Sequence, residues 1–537
     1  MSTATPVTAP CPLPSMLDAI TTDEVSSVIF RRAGRSMRVS HGQCRKDAGV
    51  VAAAFREKGI STGERVAIHG TTSYEWVLAD LACVLVGALS VALYPSAPLE
   101  RAVGVAAESR CGLVCTDRAD AVTAFREAGF AVLFLGSSSE APDGTESVEG
   151  LLAAAEDELA ATAAIPREGP FTVVSTSGTL SEPKLFTVAA TPLLFTMDRF
   201  AEIYGFGRGD RLLLYLPLSH LPQRMMLYWG LCNGLDLILS DPAHMTADGV
   251  DHRPTLHVTV PRVLEHVRWR VTKMLQGTEA TPEAVTNAYQ AVFGPAIRSI
   301  FVGSAPTDPG LMAELLAAGL PVHEVYGTTE LGMIGLNTPD HRRPGTVGKP
   351  IPWGAVELDR ETREVRVRTP TPFLHGRLDG GEVRPHHWEP GRFEPTADVG
   401  EFDADGFLRV IGRLRDFVAL PSGEKVFVRP IEDAVSKSAK AELCQVSIRA
   451  DGALGALLFF APDADETDDD AVNALIRVNQ DLHPWERVKT YAVVRRLPTV
   501  EEGCLTETSK PRRHVIEQVH GEKANWHRLD TKSVRTG

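Results

Sequence analysis

Short apolar runs alternating with helix-length amphipathic segments from about residue 27 to 330 predict a large α/β domain, its parallel sheets flanked by helices. Beyond Gly345 the texture changes to short β-rich runs, which adds a β-rich subdomain to the large domain, taken as residues 1–414. The remainder, 415–537, mixes strands and helices and predicts a small α+β C-terminal domain. A chain of 537 residues, 44% hydrophobic and 23% charged, can bury more than one core.

In chain order, residues 65–70 precede a helix starting near Ser73, and 112–117 precede another. Further strands are expected at 171–176, 211–216, 235–240, 256–260, 297–302 and 322–326, each ending in a polar or glycine-bearing turn, the place where open α/β sheets bind ligands. The β-rich subdomain should use 355–358, 364–368 and 407–411, with 371–396, rich in Pro, Gly and His, as a loop. In the last domain strands are expected at 445–449, 456–460 and 490–494, and helices at 430–436 and 468–480. The acidic run 463–470 reads as a solvated loop before a helix.

Composition removes several function classes. A formal net charge of −14 and a pI near 5.6 oppose nucleic-acid binding, which relies on clustered Lys and Arg. Residues 1–16 have neither the basic start nor the apolar segment of a secretion signal, and the longest apolar run, 77–93, is interrupted by Asp80 and Gly87, which suits no membrane span. A cytoplasmic enzyme acting on small molecules is expected. Cys111 and Cys115 lie on an apolar stretch and read as buried strand residues; neither they nor His386-His387 have a second ligand pair at metal spacing.

Four segments carry chemistry. Ser175-Thr-Ser-Gly-Thr-Leu-Ser-Glu-Pro-Lys184 follows a strand and offers hydroxyls, backbone N–H groups and an ammonium to a polyphosphate. It is no P-loop: the second glycine is missing and Pro183 removes a donor. Tyr326-Gly-Thr-Thr-Glu330 ends the strand after Phe301-Val-Gly-Ser-Ala-Pro306. Its aromatic face suits adenine, its hydroxyls a phosphate, and its carboxylate Mg²⁺. Thr396-Ala-Asp398 with Gly412-Arg413-Leu-Arg415-Asp416 can bind vicinal ribose hydroxyls. Leu505-Thr-Glu-Thr-Ser-Lys510 places a lysine on a loop near the C-terminus, able to meet charge developing in a transition state. Individually these segments are equally a polar surface loop, a tight turn, an Asp/Gly turn and a basic tail.

In this order, over roughly 28–516, the four segments resemble the adenylate-forming superfamily of acyl-CoA synthetases, peptide-synthetase adenylation domains and luciferases. Leu216-Pro-Leu-Ser-His220 with Arg224, Val260-Pro-Arg262-Val-Leu-Glu265 and Gly423-Glu-Lys-Val-Phe-Val-Arg-Pro-Ile-Glu432 are most similar to its long-chain fatty acyl-CoA synthetase branch. The resemblance implies an ATP-dependent ligase that converts an acid to an acyl-adenylate, with Mg²⁺ as cofactor and CoA as co-substrate. Thr176, Ser177, Gly178, Thr179 and Lys184 would handle the β- and γ-phosphates. Within the segment Gly327, Thr328, Thr329, the last would meet the α-phosphate, and Glu330 would hold Mg²⁺. Gly303, Ser304, Ala305, Pro306 and Tyr326 would frame adenine, and Asp398 and Arg413 the ribose. Lys510 would promote adenylation, with Lys184 and Glu330 as the other catalytic groups. His220, Arg224 and Gly303 would border the acid pocket, and Arg415 would be the hinge on which the small domain turns between half-reactions.

Three departures from the family pattern stand out. Leu180-Ser181 replaces a Thr-Gly pair and Leu185 a glycine in the phosphate loop, with loss of a hydroxyl and of backbone freedom. Ala397 replaces a glycine before the ribose aspartate, a mild change unless the backbone there needs positive φ. Residues 376–391 carry charged and histidine side chains in an unusual place. The acceptor stays open between CoA, an amine, a carrier thiol, and nitrite activation for diazotising an aryl amine in specialised metabolism. A silent binding protein on the same fold is the remaining alternative.

Overall fold

The computed structural model describes residues 12–20, 23–155, 169–176, 184–277, 279, 281–421, 424–506 and 510–529. Two large sheets organise most of the described residues up to Pro385. In one, the strands Ser27–Arg32, Asp236–Leu239, Arg211–Leu214, Leu256–Thr259, Ser299–Val302 and Val322–Thr328 lie side by side and parallel, with antiparallel strands added at both edges to make nine. In the other, eight-stranded sheet, Ala131–Phe134, Leu113–Thr116, Arg65–His69, Leu89–Leu93 and Pro170–Thr176 are parallel, and Lys184–Ala189, Leu374–Asp379 and Glu382–Pro385 continue it antiparallel. Central strands such as Leu89–Leu93 and Leu113–Thr116 are buried at every residue, as helices on both faces require. Cys115 is buried on such a strand and Cys111 just before it.

The apolar run 77–93 is two elements. Ser73 caps the helix Tyr74–Val86 by accepting from Trp76 N–H, Gly87 ends it in the left-handed conformation (φ 79°), and the chain turns straight into the strand Leu89–Leu93. Across the interior, that helix meets Leu221–Asn233 of the other sheet's layer through a buried polar cluster. Arg224 Nε donates to Asp80 Oδ2 at 2.8 Å, Nη1 to Thr172 Oγ1 at 2.8 Å, and Nη2 to Asp80 Oδ1 and Ser90 Oγ; Tyr228 Oη also donates to Asp80. This lock joins the two α/β layers.

Within the expected loop 371–396, Leu374–Asp379 and Glu382–Pro385 instead form a hairpin that extends the second sheet, with Glu382–Pro385 as its exposed edge strand and 386–391 following it outside any strand. Charged side chains on an edge blunt it against further pairing. The β-rich subdomain is a four-stranded antiparallel sheet, Ala355–Leu358, Glu364–Arg368, Glu394–Phe402 and Leu408–Arg413.

A short hairpin, Phe417–Ala419 with Lys425–Phe427, leads to the smaller C-terminal domain. There Leu443–Ile448 pairs antiparallel with Leu454–Phe459, which pairs in parallel with Val488–Val494 across the helix Asp468–Gln480. That helix and Val428–Ala439 share a core with the sheet, including Ile431, Val435, Val446, Ala456, Leu458 and Leu475. The acidic run enters the helix: Thr467 and Asp470 form a capping box, and Asp468, Asp469 and Asp470 occupy the positive first turn. Among the described residues no helix is long and apolar enough to cross a membrane.

Candidate active site

The C-terminal ends of the parallel strands deliver the loops. Gly303, Ser304, Ala305 and Pro306 follow the strand Ser299–Val302, and Tyr326 lies near the end of its neighbour Val322–Thr328. Gly303 lies close to the neighbouring strand: a Cβ there would sit 3.1 Å from the Val325 carbonyl oxygen, a tight contact that would push the backbone apart. Ser304 is held at φ 71°, costly for a residue with a Cβ, and its Oγ is 2.9 Å from His220 Nε2. His220 precedes the helix Leu221–Asn233, and its Nδ1 is buried without a hydrogen-bond partner among the described residues.

Asp398 and Arg413 face each other across two strands of the antiparallel subdomain, which follows from their cross-strand register. Arg413 Nε lies 2.7 Å from Asp398 Oδ1, and Tyr326 Oη donates to Asp398 Oδ2 at 2.5 Å. The Asp398 side chain is 6% exposed and that of Arg413 45%. Burial pushes the Asp398 carboxyl upward, against Arg413, the Tyr326 hydroxyl and Lys510, while Glu330 adds to the rise. Ala397 adopts φ 60°, so the backbone there does need the left-handed conformation, and its N–H donates to Glu364 Oε1 at 2.8 Å.

Lys510 comes from the other domain. Its N–H donates to Thr506 Oγ1 at 2.9 Å, Thr506 N–H returns to the Lys510 carbonyl at 2.8 Å, and Leu505 bridges Pro511, so the exposed lysine sits at the foot of a pinned hairpin. Arg513 anchors this hairpin through Glu432, with Nη1 to Oε1 at 2.6 Å, and burial pushes that carboxyl up to about 7 despite Arg513. The Lys510 ammonium acts on both Asp398 and His220: burial first, then Lys510, brings the His220 imidazole down to about 4. Tyr326, Asp398 and Arg413 are thus in direct contact, the charges of Lys510 and Glu330 reach Asp398, and that of Lys510 also reaches His220. A second contact between the domains is Lys437 Nζ to Asp308 Oδ2 at 3.2 Å.

Gly327, Thr328 and Thr329 continue from Tyr326 through a β-bulge, with Thr328 Oγ1 accepting from Leu331 N–H at 3.0 Å. Glu330 is half-buried, its backbone carbonyl accepting from Phe373 and Leu374 N–H. Thr176 and exposed Lys184 pair at the mouth of an antiparallel hairpin, the backbone alone being described for Thr176. Ser177, Gly178, Thr179 and the departures Leu180 and Ser181 lie outside the described residues. Leu185 is buried in the second sheet opposite Leu378, so this replacement fills core. Arg415 lies in the turn Leu414–Asp416, whose first N–H, from Arg413, is capped by Asp416 Oδ2 at 3.2 Å; its side chain is outside the described residues.

One expected pocket residue is misplaced. Arg224 does not border the cleft: it is fully buried and committed to Asp80, Thr172, Ser90 and Tyr228. One residue that shapes the site went unread. Glu324 is buried beneath the 303–306 loop, accepts from Thr307 N–H at 3.0 Å, and is pushed by burial up to about 7. The signal was an acidic side chain in an apolar strand, two positions before Tyr326.

Residues 21–371 match the family model described as AMP-binding enzyme. The chain is 25% identical over 564 aligned positions to the long-chain-fatty-acid–CoA ligase FadD15 of Mycobacterium tuberculosis, covering 92% of this chain and 93% of that one. Its fold is similar to the O-succinylbenzoate CoA synthetase of Bacillus subtilis in complex with AMP (TM-score 0.75, 20% identity, 94% and 98% of the two chains). It is equally similar to the amide bond synthetase McbA of Marinactinospora thermotolerans (TM-score 0.73, 23% identity, 94% and 99%). The family match extends over the strands and loops that build the cleft as far as Glu330, and the chain belongs to the AMP-binding enzymes, the adenylate-forming superfamily.

Proposed function

We propose that this enzyme activates an acid with ATP by forming an acyl-adenylate, then passes the acyl group to CoA. The observation that carries the reading is the contact of Tyr326, Asp398 and Arg413 in the large domain, with the charges of Glu330 and of Lys510 from the C-terminal domain reaching Asp398. Tyr326 and the 303–306 loop frame adenine, and Asp398 with Arg413 takes the ribose hydroxyls. Thr176, Ser177, Gly178, Thr179 and Lys184 take the β- and γ-phosphates and Thr329 the α-phosphate. An oxygen of the acid attacks the α-phosphorus, a new O–P bond forms, and the bond to pyrophosphate breaks. Lys510 stabilises the charge gathering on the acid and α-phosphate oxygens, and Lys184 that on the leaving group. The Glu330 carboxylate is a hard oxygen donor suited to Mg²⁺, which when bound would neutralise pyrophosphate. Neutral at pH 7 and held by Ser304, His220 borders the acid with Gly303 without adding charge.

Residues 1–414 and 415–537 act as the large and small domains, with Arg415 as the hinge. Transfer to CoA and a fatty acid as substrate are supported by the similarity to long-chain-fatty-acid–CoA ligases, and an amine acceptor by the equal similarity in fold to an amide bond synthetase. A pyrophosphate-release screen over aliphatic, aryl and small acids, nitrite included, with and without CoA or amines, followed by product mass, tests both. A thioester mass supports CoA; an amide or diazonium mass replaces it with the corresponding acceptor. Absence of pyrophosphate release with every acid, with or without an acceptor, would refute the proposal.

A further inference from the structure

Outside the cleft, the C-terminal domain holds a cluster of metal-ligating side chains that no step of adenylation uses. Glu502, Cys504 and His520 bring a carboxylate oxygen, a thiol sulfur and an imidazole nitrogen within 4.8 Å of one another. Glu502 and Cys504 are two residues apart, and His520 arrives from the π-helical turn Glu517–Gly521, a geometry frequent at functional sites. The His520 side chain is 8% exposed, its Nε2 is buried with no hydrogen-bond partner among the described residues, and that atom lies 3.9 Å from Glu502 Oε2. Phe459 holds the imidazole edge-on, with ring centroids 5.2 Å apart. Cys504 is fully buried among Leu457, Phe459, Ala492 and Ile516. Arg496 pairs with Glu502 Oε1 at 2.5 Å, and the Thr499 hydroxyl is 3.3 Å from Oε2, which keeps capacity for another partner.

We propose that Glu502, Cys504 and His520 form a three-ligand zinc site, with water in the fourth position, that fastens the Lys510 hairpin to the C-terminal turn. Thiolate, imidazole and carboxylate are the donors Zn²⁺ takes, whereas Mg²⁺ prefers oxygen alone. Bonds of about 2.0–2.3 Å in a tetrahedron set donors roughly 3.3–3.8 Å apart, so the cluster needs only a small contraction. Binding breaks the Cys504 S–H bond, forms the S–Zn bond and releases the proton to solvent. The consequence for the hairpin is direct: the Cys504 carbonyl accepts from Arg512 N–H at 2.8 Å, and Leu505, the next residue, bridges Pro511.

The test uses the untagged full-length chain, stripped with a chelator and titrated with Zn²⁺ against a chromophoric zinc indicator. One equivalent should bind and raise the thermal midpoint, and Cys504→Ser and His520→Ala should each weaken affinity by roughly 10-fold or more. Co²⁺ in place of Zn²⁺ should give a thiolate-to-metal charge-transfer absorption that Cys504→Ser abolishes. Absence of zinc binding to the wild-type chain, or an unchanged affinity and Co²⁺ spectrum in both variants, overturns the site. Should Cys504→Ser fold poorly by circular dichroism, His520→Gln and Glu502→Gln carry the same titration. Pyrophosphate release plays no part in this readout, so failure here leaves the reading of the cleft intact.

Discussion

Asp80 with Arg224 and Asp398 with Arg413 are chemically the same ion pair in different surroundings. In the first, both side chains are 0% exposed and the guanidinium is divided between Asp80, Thr172, Ser90 and Tyr228. In the second, Asp398 is nearly as buried but Arg413 stands in the cleft, close enough to Lys510 and Glu330 for their charges to reach Asp398. A pair whose polar atoms are spent on its neighbours holds two layers together; a pair open on one side retains bonding capacity for a ligand.

The sharpest way to break this contrast is Arg224→Ala, which strands the Asp80 charge in the core. It should cost about 3–5 kcal/mol of stability, read from the denaturant midpoint of the whole chain; a loss under about 1 kcal/mol would deny the lock. Lys510→Ala should do the reverse. Adenylate formation should fall by about 100–1,000-fold, the scale of removing one transition-state charge partner, while stability and thioester formation from supplied acyl-adenylate are retained. Asp398→Ala belongs between them: Arg413 is exposed and rehydrates, so stability should move by about 1 kcal/mol or less while KM for ATP rises about tenfold. Equal destabilisation by Arg224→Ala and Asp398→Ala would collapse the distinction.

Two smaller effects sharpen it. Burial holds Glu324 at about 7, above its ordinary 4.5, so the folded protein keeps a proton the unfolded chain has lost, and stability falls as pH rises between those values. Glu324→Gln should remove on the order of 1 kcal/mol of the stability lost between pH 5 and 8, measured by unfolding at both; an unchanged pH dependence would show that Glu324 does not titrate there. At Ala397, φ 60° favours glycine, so Ala397→Gly should stabilise by about 1 kcal/mol or less in the same assay, and a loss would show that the backbone is not strained.

Much of this was legible in the sequence because burial leaves a periodic trace. Strands 355–358, 364–368 and the helix at 468–480 appear where their apolar patterns end. The helix starting near Ser73 was expected, but the strand Leu89–Leu93 behind it in the run 77–93 was hidden, because both are buried all round and only Gly87 marks the break. The hairpin over 374–385 went unread because its alternating strand Leu374–Asp379 is only six residues long and its partner Glu382–Pro385, on the exposed edge, carries no alternation of apolar and polar residues. Arg224 was misread for a related reason: its partner Asp80 is 144 positions away, and local composition cannot tell a spent guanidinium from an available one. Cys504 and His520 likewise meet only through the fold of the last domain.

Adenylation fixes where the acid's oxygen goes. With the acid that gives the fastest pyrophosphate release, ¹⁸O-labelled in its acidic oxygens, single-turnover products in the presence of acceptor can be weighed by mass spectrometry. Attack on the α-phosphorus predicts one ¹⁸O in AMP and none in pyrophosphate. Unlabelled AMP, or label appearing in inorganic phosphate with ADP, would contradict adenylation at this cleft.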